Sequence, residues 1–564
     1  MTGGLLAYFG TKPHKANAHA ASQTAEWRGP LHKPVGMEGI GFVCAQGTAK
    51  AGRRGELAIG FHGRIDNLDE LGQSLGTRCD GELDLVASLY RQHGDEFATE
   101  LLGDFAIVLL DEGRGCLLAS RDWIGMRPLF WLEHQGQTAV TSEIKQALKL
   151  FEHPMIPADQ PHAANSASEP NEPDATIEKG VGAVPAFGYV LATRSAPTRT
   201  WTKPHRFEPI RADAEAARQE TRRLLEIATL RRIPVGARTG AMMSGGVDST
   251  AVAGVAAHLA RMRKAPPLEA CYTMALPELP DCDETVAARQ VAESIGVSWK
   301  PVVIRIEDYK AWPERAFDLH DGPVFPTACG AAIIIREAAE DGIETLLTGL
   351  GGDEFADQAG VEFRQCLLRG EAREALRWVR SGQPGTIRSV LGATARAVRD
   401  YFLHGIRAET KYEQTARRFW TRYTLELIER EGAKHGLSVE APFFDRELAS
   451  FLAGLAPSVK STPEFSKSLL RDAVADLVPE SVRLNPRIVV YNSVIEAALG
   501  PVPGGQSLHQ FIGRSYAERW MQQVNLMLKY GNQRPSPANS PYDEDQTKKP
   551  ARPSAEPTSR IDHD

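Results

Sequence analysis

Residues 244–249 read Ser-Gly-Gly-Val-Asp-Ser, a set of types suited to holding phosphate. Two adjacent glycines, Gly245 and Gly246, let the backbone turn tightly and aim successive N–H groups at one point. That makes a nest for an anion where a helix begins. Ser244 and Ser249 add hydroxyl donors, and a helix-like stretch follows from Thr250. Asp248 is out of place beside phosphate unless a cation neutralises both, which implies magnesium. The pattern is neither G-x-x-x-x-G-K-[ST] nor G-x-G-x-x-G, so a kinase-type loop and a dinucleotide fingerprint are both disfavoured. For six residues taken alone, the bland alternative is an ordinary glycine-rich strand-to-helix turn.

A second glycine-rich turn, Thr348-Gly349-Leu350-Gly351-Gly352-Asp353-Glu354, also ends in acids. If the two turns converge, Asp248 and Asp353 share a magnesium ion that bridges the phosphates of a ligand. A third group is Ser466-Lys467-Ser468-Leu469-Leu470-Arg471, followed by Asn485-Pro486-Arg487. Lys467 and Arg471, four apart, share a helix face. On residue type alone they are surface charges.

These residues need a frame, and the chain supplies an alternating one from about residue 209. Strand-like runs at 239–243, 268–274, 301–306 and 344–348 are separated by helix-like runs at 250–264, 283–296 and 327–341. That alternation predicts an α/β domain with a parallel sheet covered by helices on both faces. Ligands of such sheets sit beyond the C-terminal strand ends, where 244–249 and 349–353 both fall. The span 363–455 reads as mostly helical and arginine-rich. Residues 1–208 read as mixed β with helices. Strands are expected at 41–43, 57–61, 105–110, 116–120 and 188–192. A helix is expected over 84–93, where Leu85, Val86, Leu89 and Tyr90 keep helical spacing. The stretch 157–174, rich in Pro, Ala, Asn, Ser and Glu, reads as an exposed excursion. From residue 531 the chain holds six prolines, with Tyr542 and Ile561 its only large apolar or aromatic residues. It buries too little to offset the entropy of ordering, so a disordered tail is expected. The expected organisation is 1–208, 209–530 and a tail at 531–564.

Composition narrows the class. A chain of 564 residues predicts two or three domains. Its 42% hydrophobic and 24% charged content is that of soluble globular protein, and a net charge of −7 argues against bulk nucleic-acid binding. No apolar run of about 20 residues predicts a membrane span, and the opening MTGGLLAYFG lacks the parts of a signal peptide. Seven cysteines without a C-x-x-C pair favour reduced thiols and a cytoplasmic location.

Taken in order, the motifs resemble those of the asparagine synthetase superfamily. The second half is similar through 244–249, 348–354, Ala441-Pro442-Phe443-Phe444-Asp445 and 466–471. The first half resembles the class II glutamine amidotransferase domain, an αββα sandwich. The resemblance runs through His62-Gly63-Arg64-Ile65-Asp66-Asn67, Gly103-Asp104-Phe105-Ala106, 121–129 (RDWIGMRPL) and Thr141-Ser142-Glu143-Ile144-Lys145. The resemblance implies an ATP-pyrophosphatase site that forms AMP, with ATP and Mg2+ as cofactors. It places pyrophosphate in 244–249, near Thr348 and Gly349, and adenine near Met243 and Met274. It makes Lys467 and Arg487 the groups that stabilise pyrophosphate and the tetrahedral intermediate. Glu354 is a candidate base, and Arg487 stands where the family usually has lysine.

The departures from the family pattern carry the functional expectation. Such amidotransferases use a cysteine after the initiator Met to hydrolyse glutamine; here that position is Thr2, and the first cysteine is Cys44. His62 stands where an asparagine is expected before Gly63. Glutaminase activity is therefore expected to be lost, and the amine must come from the substrate itself. Two cysteine-less branches do this: β-lactam synthetases and lasso peptide cyclases. Asparagine synthetases carry Glu two residues before Gly352 and β-lactam synthetases carry Tyr. Leu350 can do neither acid–base nor hydrogen-bonding work. The resemblance then points to a lasso cyclase. Its substrate would be a linear core peptide, with a leader peptidase and a leader-recognition element as partners and neither nucleic acid nor membrane. The alternative is a small-molecule amide synthetase of the asparagine synthetase or β-lactam synthetase type.

Overall fold

The computed structural model describes residues 2–10, 15–76, 79–156, 174–176, 178–203, 205–316, 319–320, 326–357, 412, 419–462, 465–485 and 492–500. Arg487, most of the excursion at 157–174, most of 363–455 and the tail at 531–564 lie outside the described residues.

The first half stacks two six-stranded antiparallel sheets. Its strands are β1 (Gly3–Phe9), β2 (Val35–Met37), β3 (Gly41–Gly47), β4 (Lys50–Arg54), β5 (Leu57–Ile65) and β6 (Gly103–Asp111). They continue with β7 (Cys116–Arg121), β8 (Phe130–His134), β9 (Gln137–Thr141), β10 (Val181–Ala183), β11 (Gly188–Thr193) and β12 (Arg199–Thr202). One sheet runs β10-β8-β9-β1-β3-β2 and the other β12-β11-β7-β6-β5-β4. Strand periodicity sorts each chain segment between two cores. In β1, Leu5, Ala7 and Phe9 join Val43, Ala106 and Val108 between the sheets. Leu6 and Tyr8 face the helix Ile144–Phe151 instead. In β6, Ile107 and Leu109 meet the helix Glu82–His93 on the far side. The layering is α-β-β-α, as the resemblance implied. Being covered on both faces explains why strands such as GGLLAYF read as unbroken apolar runs.

The second half is a parallel sheet of β13 (Thr239–Met242), β14 (Leu268–Ala275), β15 (Ser298–Val303), β16 (Thr345–Leu347) and β17 (Ser438–Glu440). Their order is β15-β14-β13-β16-β17, so the winding reverses between β13 and β16. A crevice opens at such a reversal, beyond the C-terminal strand ends. Two expectations shift. The strand placed at 301–306 is Ser298–Val303, and a helix already begins at Ile306. Pro301 lies within this edge strand, where a missing N–H is tolerated. The span read as mostly helical also contains β17, whose three residues are too few to show a period. Among the described residues, no helix is long and apolar enough to cross a membrane.

Candidate active site

The 244–249 turn leaves β13 and enters the helix Val247–Arg261, with Gly246 at the cap position and no side chain capping it. The turn is held by its own serines. Ser249 Oγ accepts from the Ser244 N–H at 3.0 Å and lies 2.9 Å from Ser244 Oγ, which accepts from the Gly246 N–H at 3.1 Å. The first N–H groups of a helix have no acceptor within it, so this end stays available to an anion.

The second turn leaves β16, the neighbour of β13, and lies directly against the first. A Cβ on Gly349 would stand 2.5 Å from the Ser249 nitrogen, and one on Gly352 would stand 2.3 Å from Asp248 Cγ. Only glycine permits that approach. Lys467 closes the group. Its Nζ donates to Asp248 Oδ2 and to Asp353 Oδ1, each at 2.5 Å. It stands at φ +57, a conformation that costs a non-glycine residue energy and that clusters at functional sites.

The charges here are unevenly satisfied. Asp248 Oδ1 is buried without a hydrogen-bond partner, whereas the Asp353 side chain is 81% exposed. Burial pushes the Asp248 carboxyl up to about 6, against the pull of Lys467. Burial also acts to lower the Lys467 ammonium, but attraction to Asp248 and Asp353 outweighs it and the net shift is upward. Burial raises Glu354 above the ordinary carboxylate value. The donor set fits magnesium in its chemistry: two carboxylates flank the Lys467 ammonium, and Asp248 keeps a buried oxygen still to be filled. Among the described residues no group of three or more His, Cys, Asp or Glu could hold a metal. The remaining ligands would be phosphate and water, which magnesium favours.

Residues 220–497 match the family model described as asparagine synthase, and residues 45–149 match that of a glutamine amidotransferase domain. The chain is thus similar to asparagine synthases in its second half and to a glutamine amidotransferase domain in its first. It is 28% identical to Amidase chry2 of Gibberella zeae over 298 residues, 48% of this chain and 42% of that protein. It is 30% identical to a putative glutamine-hydrolyzing asparagine synthetase of Mycobacterium bovis over 312 residues, 52% and 46% of the two chains. It is 26% identical to the glutamine-hydrolyzing asparagine synthetase of Gallus gallus over 450 residues, 76% and 71% of the two chains. The chain spans about half the length of the first of the curated relatives it matches.

The other expected residues are placed as follows. Met243 is buried in the core, and its N–H donates to the Tyr272 carbonyl at 2.8 Å. Met274, at the end of β14, is partly exposed beside Tyr309. Thr348 is buried at the root of the second turn, and Leu350 packs against the core. Arg471 is spent on structure, donating to the carbonyls of Ser466 and Arg483.

The amidotransferase-like half has its own polar centre, at the end of the sandwich where β1 starts. Thr2 leads into β1, and no cysteine stands there. His62 and Arg121 share a cross-strand row with Ala106, facing between the sheets. His62 is 1% exposed, and both ring nitrogens lack partners. Burial, then the nearby Arg127, pushes its pKa down to about 3. Against this end lies the helix Phe419–Lys434. Arg28 donates two parallel bonds to Glu429, at 3.0 and 2.8 Å, one to Glu143 at 2.7 Å and one to the Gly3 carbonyl at 2.7 Å. Arg430 donates to the other Glu143 oxygen at 2.7 Å. The carboxylate partners are 115 to 401 residues from their arginines, so no spacing rule could have found them.

Proposed function

We propose that the chain is an ATP-dependent, AMP-forming carbon–nitrogen ligase of the lasso peptide macrolactam synthetase type. A side-chain carboxylate of an Asp or Glu in a core peptide attacks the α-phosphate of ATP, and pyrophosphate leaves. The peptide's N-terminal amine then attacks the acyl carbon, AMP leaves, and an isopeptide bond closes the ring. The 244–249 nest takes the pyrophosphate, and Lys467 stabilises its growing charge. Magnesium held at Asp248 and Asp353 supplies charge neutralisation on the leaving group. Glu354 is the candidate to receive the amine proton, and Arg487 a second cation for the acyl centre.

The observation that carries the reading is the pairing of an intact nucleotide crevice with a sandwich end that has no cysteine and a sealed His62. An amine supplied by the substrate itself reconciles the two. Leu350 supports the peptide branch over the small-molecule ones, because it offers no acid or hydroxyl. The test is incubation with ATP, magnesium and a co-encoded linear core peptide, together with its leader peptidase and recognition element. The expected result is a peptide lighter by one water, with one AMP per ring. No AMP with any such peptide overturns it.

A second reading is a small-molecule amide synthetase, favoured by the asparagine synthetase names of two relatives. It predicts pyrophosphate release with aspartate plus ammonia, or with a β-amino acid, and no peptide.

A further inference from the structure

The segment Glu440–Asp445 lies directly beneath the second glycine turn. A Cβ on Gly351 would meet the Phe443 side chain at 2.9 Å and Phe444 at 3.2 Å. The Glu440 carbonyl accepts from the Thr348 N–H at 2.9 Å, where β17 pairs with β16. Yet β17 is only three residues long and stands at the sheet edge, so ladder bonds alone hold it weakly. The first domain supplies the rest. Arg127 Nη2 donates to Glu440 Oε1 at 3.0 Å, and Arg64 Nη1 donates to Oε2 at 2.8 Å. Trp123 Nε1 donates to the Phe444 carbonyl at 3.0 Å. At the far end, Arg232 bridges Asp445 to Asp104 at 3.2 and 3.3 Å, and Arg64 also grips Asp104 at 2.7 Å. Asp122 shapes the loop that presents Arg127, accepting from the N–H groups of Ile124, Gly125 and Met126.

We infer that the amidotransferase-like domain positions the nucleotide-binding turn. Arg64, Trp123 and Arg127 are positioning residues that clamp Glu440–Asp445, and this segment sets where Gly351 and hence Asp353 stand against Asp248. The domain has exchanged a chemical role for a mechanical one. The inference rests on the nucleotide-handling half of the proposed function and is independent of the acyl substrate.

The test is direct binding of Mg·ATP to the full chain, with thermal unfolding as a parallel readout. Trp123→Phe keeps the ring and removes one hydrogen bond. Arg127→Lys keeps the charge, and Arg127→Met removes it. The expected result is a graded loss of affinity in folded protein, about tenfold or more for Arg127→Met, with partial recovery in Arg127→Lys and a smaller loss in Trp123→Phe. A merely structural role would lower the unfolding temperature and leave the Mg·ATP affinity of the folded fraction unchanged; that outcome overturns the inference. If Arg127→Met does not fold, Trp123→Phe and Arg127→Lys decide it, and wild-type affinity in both overturns it. Wild-type protein that binds no Mg·ATP would instead defeat the proposed function.

Discussion

The two polar centres of this molecule both set buried carboxylates against cations and treat them oppositely. At the sandwich end, Glu143 and Glu429 are fully engaged by Arg28 and Arg430, nearly all of it out of water. At the crevice, one oxygen of Asp248 is buried with nothing to accept from, and Asp353 stands 81% exposed. A buried carboxylate oxygen left unfilled costs free energy that a paired one does not. The pairing of Glu143 and Glu429 is finished as it stands, although His62 in the same centre keeps both ring nitrogens without partners. The crevice is completed by something from outside. The contrast teaches that density of charge does not mark a working site; incompleteness of charge does.

Asp248→Asn tests the incomplete centre most severely. Pyrophosphate release is expected to fall by about 10³-fold, with the fold intact by circular dichroism. Near wild-type turnover would make the crevice no different from the sandwich end. Arg28→Met tests the finished centre, since it strands Glu143 and Glu429 without their main cation. Unfolding experiments should show a loss of about 3–5 kcal/mol, and a loss below 1 kcal/mol would mean the cluster is not structural. Lys467→Met should cost about 10²-fold in pyrophosphate release with a smaller loss of stability than Arg28→Met, since Asp353 is exposed and Asp248 can take up a proton. The reverse pattern would move Lys467 to the structural side.

Acid should separate the centres further. Burial acts to raise Glu429, but Arg28 outweighs it and holds the carboxyl down at about 2, from an ordinary 4.5. A depressed carboxylate contributes stability that is present above its unfolded value and lost as pH falls from 4.5 toward 2. His62 is pushed from 6.5 to about 3, so the unfolded chain takes up that proton first and stability also falls between 6.5 and 3. The stability difference between wild type and His62→Gln, from urea unfolding at several pH values, should be level above pH 6.5 and shift against wild type below it; a difference that stays level down to pH 4 would contradict the His62 assignment. The smallest effect is expected from Thr2→Ala, which should leave peptide cyclisation unchanged. Lost activity there would return the first domain to chemistry.

Much of the crevice was legible because it is local. Glycines, an acid and serines within six residues carry their geometry with them, and the strand and helix periods around them fixed which end of the sheet they occupy. The sandwich was legible mainly through motif resemblance, because strands buried on both faces lose the alternation that marks a strand. The clamp was not legible. Arg64 and Arg127 lie in recognised motifs, but their partner Glu440 is 376 and 313 residues away on a strand too short to show a period. The role of Lys467 as the link between Asp248 and Asp353 depends on one residue at positive φ, which no side-chain pattern announces.

The interface charges also bear on how the chain is made. Strand β12 ends at Thr202, whereas Glu429 and Glu440 lie more than two hundred residues further along. At about 5–20 residues per second, the first domain waits roughly 10–45 s on the ribosome before those acids exist. During that interval Arg28, Arg64 and Arg127 lack their carboxylate partners from the second domain. The nascent sandwich therefore carries, on an otherwise acidic body, a face of arginines whose pairing is completed only when the rest of its own chain arrives.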